Sequence, residues 1–214
     1  MRYPERGMVK TRLSSVLDED HITILYRCFI SDILDTIEGG DYRVHLVFSP
    51  EHRKSDMRGE FGDGYTYVAQ TGSDLGERMK NAFDHCFAEK STTAAVLIGS
   101  DIPDITAAVI EEAFEALKNH DAVIGPALDG GYYLIGFNAA SPYAPVFRDV
   151  AWGSAAVFEE TTGILRNNDC RVHILPEWSD VDRPEDVRLL VKKNKNTAFR
   201  HSKTVTYLSK IGFI

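Results

Sequence analysis

The sequence predicts an α/β fold in which a mostly parallel sheet is flanked by helices. Three observations carry that expectation. Strand and helix patterns alternate along all 214 residues, the sign of a parallel, helix-covered sheet. Residues 94–137 read as strand, acid, helix, strand and glycine loop, the layout of half a binding crevice. Residues 19–38 carry Ile22, Leu25, Tyr26, Phe29, Ile30, Ile33, Leu34 and Ile37 at helical spacing, stopped by Gly39 and Gly40.

Composition narrows the class. Hydrophobic content of 43% with 26% charged residues describes an ordinary globule with ample chain for a core. No apolar run approaches the roughly 20 residues of a membrane helix, and no signal peptide is visible. Three cysteines, Cys28, Cys86 and Cys170, lack metal-ligand spacing and predict buried thiols in a reducing cytoplasm. The seven basic residues after Asp186 meet no acid there, which leaves 17 of the 24 basic residues against all 32 acids in the rest of the chain. So acidic a body argues against nucleic acid as a partner and suits an enzyme that gathers a divalent metal. The basic tail reads as a solvated helix end or as a segment that closes over phosphates.

In chain order, residues 4–7 form a Pro-x-x-Gly turn, Pro4 to Gly7 inclusive, followed by Lys10, Thr11 and Arg12. Exposed N–H groups backed by Lys and Arg make an anion cradle for a pyrophosphate; a polar loop with scattered cations is the plainer alternative. Strands are expected over 42–48 and 65–70, with a polar, mobile loop over 49–64 between them. Asp74 and Glu77 fit a capping box that opens a helix to about Phe87. Gln70, at a strand end before Gly72, could read a nucleotide edge with its amide, and Arg78 could meet a phosphate or an ordinary surface acid.

The run 94–98 is branched and apolar, as in a strand buried on both faces, and breaks at Gly99. Ser100 and Asp101 then stand just past its carboxyl end, where ligands collect in open α/β sheets. The following helix shows a stripe of Ile105, Ala108, Val109, Glu112, Ala113, Ala116 and Leu117. A second strand, 122–126, leads into Asp129, Gly130, Gly131, Tyr132 and Tyr133. Trp152 walls a pocket or packs at an element junction, and Ser154 suits the N-cap of the next helix. After a strand over 171–175, Asp182 and Glu185 form another capping signature. Asp182 is therefore either a cap or a metal ligand.

Together these residues offer early cations, an acid past a central strand and late acids. Mg²⁺ or Mn²⁺ takes one or two carboxylates and completes its shell with phosphate and water. Asp101 with Asp180 or Asp182 could supply them, while Lys10 and Arg12 take up charge on a leaving diphosphate. No Walker loop, G-x-S-x-G elbow, G-x-G-x-x-G fingerprint or H-E-x-x-H helix is present. Direct displacement on a metal-bound nucleotide is the simplest chemistry.

Five motifs then occur in order: P-x-x-G-x-V-K-T-R-L (4–13), Q-x-G-x-D-L-G-E-R-M (70–79), G-S-D-I-P (99–103), G-P-A-x-D-G-G-Y-Y-L-I-G (125–136) and D-V-D-x-P-E-D (180–186). As a set spanning nearly the whole chain, they resemble a family of bacterial GT-A-type nucleotide-diphospho-sugar transferases. More distantly, they are similar to the molybdenum-cofactor and phospholactate guanylyltransferases. The resemblance implies a Rossmann-like three-layer α/β/α sandwich, a single domain over 1–214, and a divalent metal. It places Asp101 as the metal-binding acid, Asp182 as the second acid and Asp180 beside it. Lys10 and Arg12 would hold phosphates, with Pro4, Gly7, Gln70, Gly72, Arg78 and Ser100 around the nucleotide. Asp129 to Tyr132, with Trp152, would face the acceptor. Family members open with an apolar strand, and only Met1 and Arg2 precede the first loop here, so a truncated first strand is expected.

The expected activity is transfer of a sugar from a nucleotide-diphospho-sugar to a small acceptor. Two rivals remain: a nucleotidyltransferase that releases pyrophosphate from a nucleoside triphosphate, and a non-catalytic nucleotide-binding protein. A homodimer is the assembly considered.

Overall fold

The computed structural model describes residues 1–214, which divide into two compact units. The first comprises Met1–Ala69, Ser100–Thr106 and Asp180–Ile214; the second comprises Gln70–Gly99 and Ala107–Ser179.

Helix α1, Glu19–Ile37, anchors the first unit. Its N-cap is Asp18, whose carboxylate accepts the His21 N–H at 2.8 Å. All eight residues of the expected apolar stripe are buried. Strands β1, His45–Phe48, and β2, Thr66–Ala69, pair in parallel with Leu46 opposite Tyr67. Residues 1–3 join the end of β1: Tyr3 donates to the Ser49 carbonyl at 2.8 Å, and Ser49 donates back to Met1 at 3.1 Å.

The segment expected to be a mobile loop instead holds helix α2, Lys54–Phe61, after a turn of 3-10 helix. Its composition is polar, with Met57 the one buried side chain, so no apolar period announced it. Helix α6, Pro184–Asn194, and helix α7, Lys203–Lys210, complete the unit. Buried Asp32 on α1 accepts the N–H groups of Lys203 and Thr204 at 2.8 and 2.9 Å, which docks the start of α7. Lys203 also reaches Asp35, so part of the basic tail is neutralised by acids of α1.

The second unit is built on a four-stranded sheet of β3, Ala94–Ile98, β4, Ala122–Pro126, β5, Tyr132–Asn138, and β6, Val172–Ile174, in the order β3-β5-β4-β6. β5 runs antiparallel to both β3 and β4, and β6 is parallel to β4. Three of the four strands therefore share a direction, as the alternating pattern predicts. β4 and β5 are almost wholly buried, whereas every residue of β3 is only partly so. That corrects the expectation of a strand covered on both faces; β3 lies at the end of this sheet's order.

Helices α3, Leu75–Phe87, α4, Ala107–Ala116, and α5, Val157–Asn167, belong to this unit. Phe83 of α3 meets Phe137 edge-on at 5.0 Å and stacks on Phe147 at 5.8 Å between ring centres. Around this aromatic centre lie Met79, Ile124, Ile135, Val146 and Leu165. Ser154 is not the N-cap of α5: that position is Ala156, and the Ser154 hydroxyl accepts the Ala156 N–H at 3.2 Å, outside the helix.

Phe83 is 2% exposed, so Phe83→Ala leaves a cavity at the centre of this core. The expected loss is about 3–5 kcal/mol of unfolding free energy, measured by urea denaturation.

Candidate functional site

The first loop delivers its cations through backbone geometry. Gly7 has φ 71°, and Met8 donates to the Glu5 carbonyl at 3.0 Å, closing the expected turn. Lys10 then adopts the left-handed conformation, φ 46° and ψ 39°, which a lysine enters at a cost of about 1–2 kcal/mol. A 3-10 turn, Thr11–Ser15, follows and seats Leu13 in the core.

The Lys10 ammonium is the centre of the site. It lies 2.7 Å from Asp101 Oδ1 and 2.6 Å from Asp182 Oδ1, with 5% of its side chain exposed. Arg12 Nη1 approaches Asp182 Oδ2 at 3.3 Å from a largely exposed position. An ammonium withdrawn from water needs charged partners to remain there, and the two carboxylates provide them.

Each acid is held by its own segment. The Asp101 carbonyl accepts the Val181 N–H at 2.8 Å, joining residues 100–106 to the segment that carries Asp182. Asp104, buried, takes Asn194 Nδ2 at 2.7 Å and Lys193 Nζ at 2.9 Å, which fixes the same segment to α6. The capping role expected of Asp182 belongs to Asp186. Its Oδ2 accepts the N–H groups of Arg183 and Asp182 at 2.7 and 3.0 Å, so the carboxylate of Asp182 is left for Lys10 and Arg12.

A pocket of about 340 Å³ opens here, lined by Arg2, Lys10, Arg12, Tyr26, Ser100, Asp101 and Asp182 with parts of the first loop. That volume is within the range of small-ligand sites. Tyr26 and Arg2 were not singled out from the sequence. The Tyr26 hydroxyl lies 2.8 Å from Ser100 Oγ, and burial, with the Asp101 charge second, pushes its phenol above the ordinary value. The signal available was one hydroxyl-bearing side chain, Tyr26, inside an otherwise wholly apolar stripe, since a buried hydroxyl requires a partner.

No group of three or more His, Cys, Asp or Glu side chains gathers to hold a metal unaided. Asp101 and Asp182 are 43% and 36% exposed and already converge on one cation. This donor set fits Mg²⁺ or Mn²⁺ that draws its remaining ligands from phosphate and water. Asp180, two residues before Asp182, is outside the pocket lining.

The other expected site residues belong to the second unit. Gly72 has φ 132°, and its carbonyl accepts Arg78 Nε at 3.2 Å. A Cβ on Gly72 would stand 2.8 Å from the Arg78 nitrogen, so this turn needs glycine. Gln70 is half-buried ahead of it. Asp74 accepts the Glu77 N–H at 2.8 Å, and Glu77 reaches back to the Ser73 N–H at 2.7 Å, one residue earlier than a strict capping box. Asp129 Oδ1 accepts the Gly131 N–H at 2.9 Å in the β4–β5 turn, where Gly130 has φ 90°. Tyr132 and Trp152 both pack against the aromatic core, with the Tyr132 hydroxyl 3.6 Å from Met79 Sδ.

The fold is an α/β architecture like that of a nucleotide-diphospho-sugar transferase. A structure from Desulfovibrio desulfuricans G20, assigned provisionally as such a transferase, superposes with a TM-score of 0.95 at 39% identity, covering 100% of this chain and 93% of that one. The family described as an uncharacterized protein conserved in bacteria, DUF2064, matches residues 34–154, and the chain belongs to that family. A 2-phospho-L-lactate guanylyltransferase from Methanocaldococcus jannaschii is 28% identical over 127 residues, 59% of this chain. The match spans about half of that curated relative, 53%. A manganese complex of Rv0371C from Mycobacterium tuberculosis H37Rv aligns with a TM-score of 0.53 at 18% identity, covering 88% of this chain and 94% of that one. At that identity the likeness concerns the fold alone.

Removing the N3 carboxylate that closes the capping box of α6 should register as a modest structural loss. Asp186→Ala is expected to lower the unfolding free energy by about 1 kcal/mol, read from thermal or urea melts.

Proposed function

We propose that the chain is a metal-dependent transferase that takes a nucleotide-diphospho-sugar and moves its sugar to an acceptor. The observation that carries this reading is the convergence of Asp101 and Asp182, with Lys10 and Arg12, on one pocket. Two carboxylates beside two cations suit a diphosphate that arrives with a divalent ion; neither set alone does.

Asp101 and Asp182 would hold Mg²⁺ or Mn²⁺, and that ion would neutralise the diphosphate. Arg12 offers a planar fork, and Lys10 a point charge, to the phosphate oxygens as the leaving group gains charge. In this reading both carboxylates of the pocket are engaged by the ion and no histidine lines it to activate Ser100, so direct displacement is the step assigned. In that displacement the acceptor oxygen bonds to the sugar carbon as the carbon–phosphate-oxygen bond breaks. The electron pair leaves on the diphosphate, and the acceptor proton passes to water. Ser100, fixed by Tyr26, sits beside the acid as a hydroxyl that can meet a phosphate or ribose oxygen.

Nucleotidyl transfer is the second reading. The guanylyltransferase relative favours it, as does a pocket whose charged lining holds three cationic and two acidic side chains. Products separate the two: a nucleotide sugar incubated with Mn²⁺ and protein should release nucleoside diphosphate, whereas release of pyrophosphate from a nucleoside triphosphate would replace the first reading with the second. Asp101→Ala is expected to remove turnover by at least about 100-fold. Asp101 is one of two acids on the buried Lys10, so the melting temperature should fall modestly while Asp182 still holds the ammonium. A variant with normal turnover would rule out the role given to Asp101.

A further inference from the structure

The buried ammonium of Lys10 stands where a metal shared by Asp101 and Asp182 would have to compete with it. Its Nζ engages one oxygen of each acid at 2.7 and 2.6 Å, and Arg12 takes the second oxygen of Asp182. The charged lining of the pocket, Arg2, Lys10 and Arg12 against Asp101 and Asp182, carries a formal charge of +1 before any ligand arrives. A bare dication therefore meets a net positive pocket whose carboxylates are already neutralised. It can bind both acids only by displacing the ammonium of a side chain that is 5% exposed and is paired with these same two acids.

A nucleoside diphosphate changes that balance. Its complex with one divalent ion is formally anionic, which matches the +1 lining. Its phosphate oxygens give Lys10 new charged partners once the ammonium leaves the acids. We infer that this pocket selects the preformed metal–nucleoside-diphosphate chelate and excludes the free metal ion, with Lys10 as the residue that sets this preference. The inference rests on the metal-dependent reading above and extends it by naming the species taken up. The left-handed backbone at Lys10 (φ 46°) adds to the argument, since it is what turns this side chain onto the acids.

In free-energy terms metal and nucleotide are coupled ligands, each raising the affinity for the other by the same factor. Couplings of this kind usually amount to about 5–150-fold. Removing the ammonium while keeping the length of the side chain should abolish most of that factor. The acids would then be open to free metal, and one phosphate partner would be lost.

The test is equilibrium dialysis of the full chain against Mn²⁺, alone and with UDP or GDP on both sides of the membrane, with retained manganese measured by elemental mass spectrometry. The wild-type chain should retain Mn²⁺ at least about tenfold more tightly with a diphosphate than without. Lys10→Met should retain Mn²⁺ alone about tenfold more tightly than wild type, with little further gain from UDP or GDP. Equal retention by wild type with and without diphosphate overturns the inference, and this arm needs no variant to fold. A folded Lys10→Met chain that gains no affinity for free Mn²⁺ overturns it as well. If wild type retains no Mn²⁺ even with both diphosphates, the metal-dependent reading itself fails and the inference falls with it. That pattern is distinct from either of the other two.

Discussion

Withdrawing one ammonium from water imposes order on three segments that are far apart in sequence. Lys10, Asp101 and Asp182 meet at hydrogen-bond distance across separations of more than 80 residues. A buried lysine without partners would lose its charge or unfold its surroundings, so the two acids cannot drift. The supporting contacts fit that demand. Asp104 ties residues 100–106 to α6 through Asn194 and Lys193, and Val181 ties the late segment to the Asp101 carbonyl. Asp186 closes the end of α6, which frees Asp182 for the pocket.

The acidic body and basic tail are resolved by the same economy of charge. Lys193 reaches buried Asp104, and Lys203 reaches Asp35 while its N–H meets Asp32. Two cations of the tail thus answer acids within the first unit, neither freely solvated nor lining the phosphate pocket. Arg188 lies over the Phe213 ring, 5.4 Å from its centre, a packing use of a third.

What the sequence made legible was local. The stripe of α1 and the acid caps Asp18 and Asp74 depend on neighbours three or four residues away, and such periods survive in a single chain. Helix α2 was hidden because Met57 is its one buried residue, leaving no stripe to read. The end of α6 was ambiguous for another reason. Asp182, Glu185 and Asp186 are all close in sequence to the start of α6, and in the fold it is Asp186 that takes the N–H groups there. The convergence of Lys10 with both acids is a long-range contact that no spacing rule encodes; motif resemblance named the residues, but not that the lysine would sit between the acids. Tyr26 was passed over because a phenol in a helical stripe looks like core, and it is core on all but its oxygen.

The charges of the pocket would suit a diphosphate under either proposed reaction, and chemistry explains why. In sugar transfer the leaving group is a nucleoside diphosphate, and in nucleotidyl transfer it is pyrophosphate. Either way charge accumulates on two linked phosphates, and catalysis requires cations placed where that charge grows. Lys10, Arg12 and a metal between Asp101 and Asp182 would serve either reaction. Discrimination must therefore come from whatever fixes the electrophile, the sugar carbon or the α-phosphorus, relative to this group of charges. No residue of the present pocket does so by charge alone. The residues proposed for acceptor contact belong to the second unit, where Tyr132 and Trp152 pack against its core and Asp129 is exposed in the β4–β5 turn. Fixing the electrophile would therefore fall to neutral contacts, made by hydrogen bonds and shape, which leave the charges of the pocket common to both reactions.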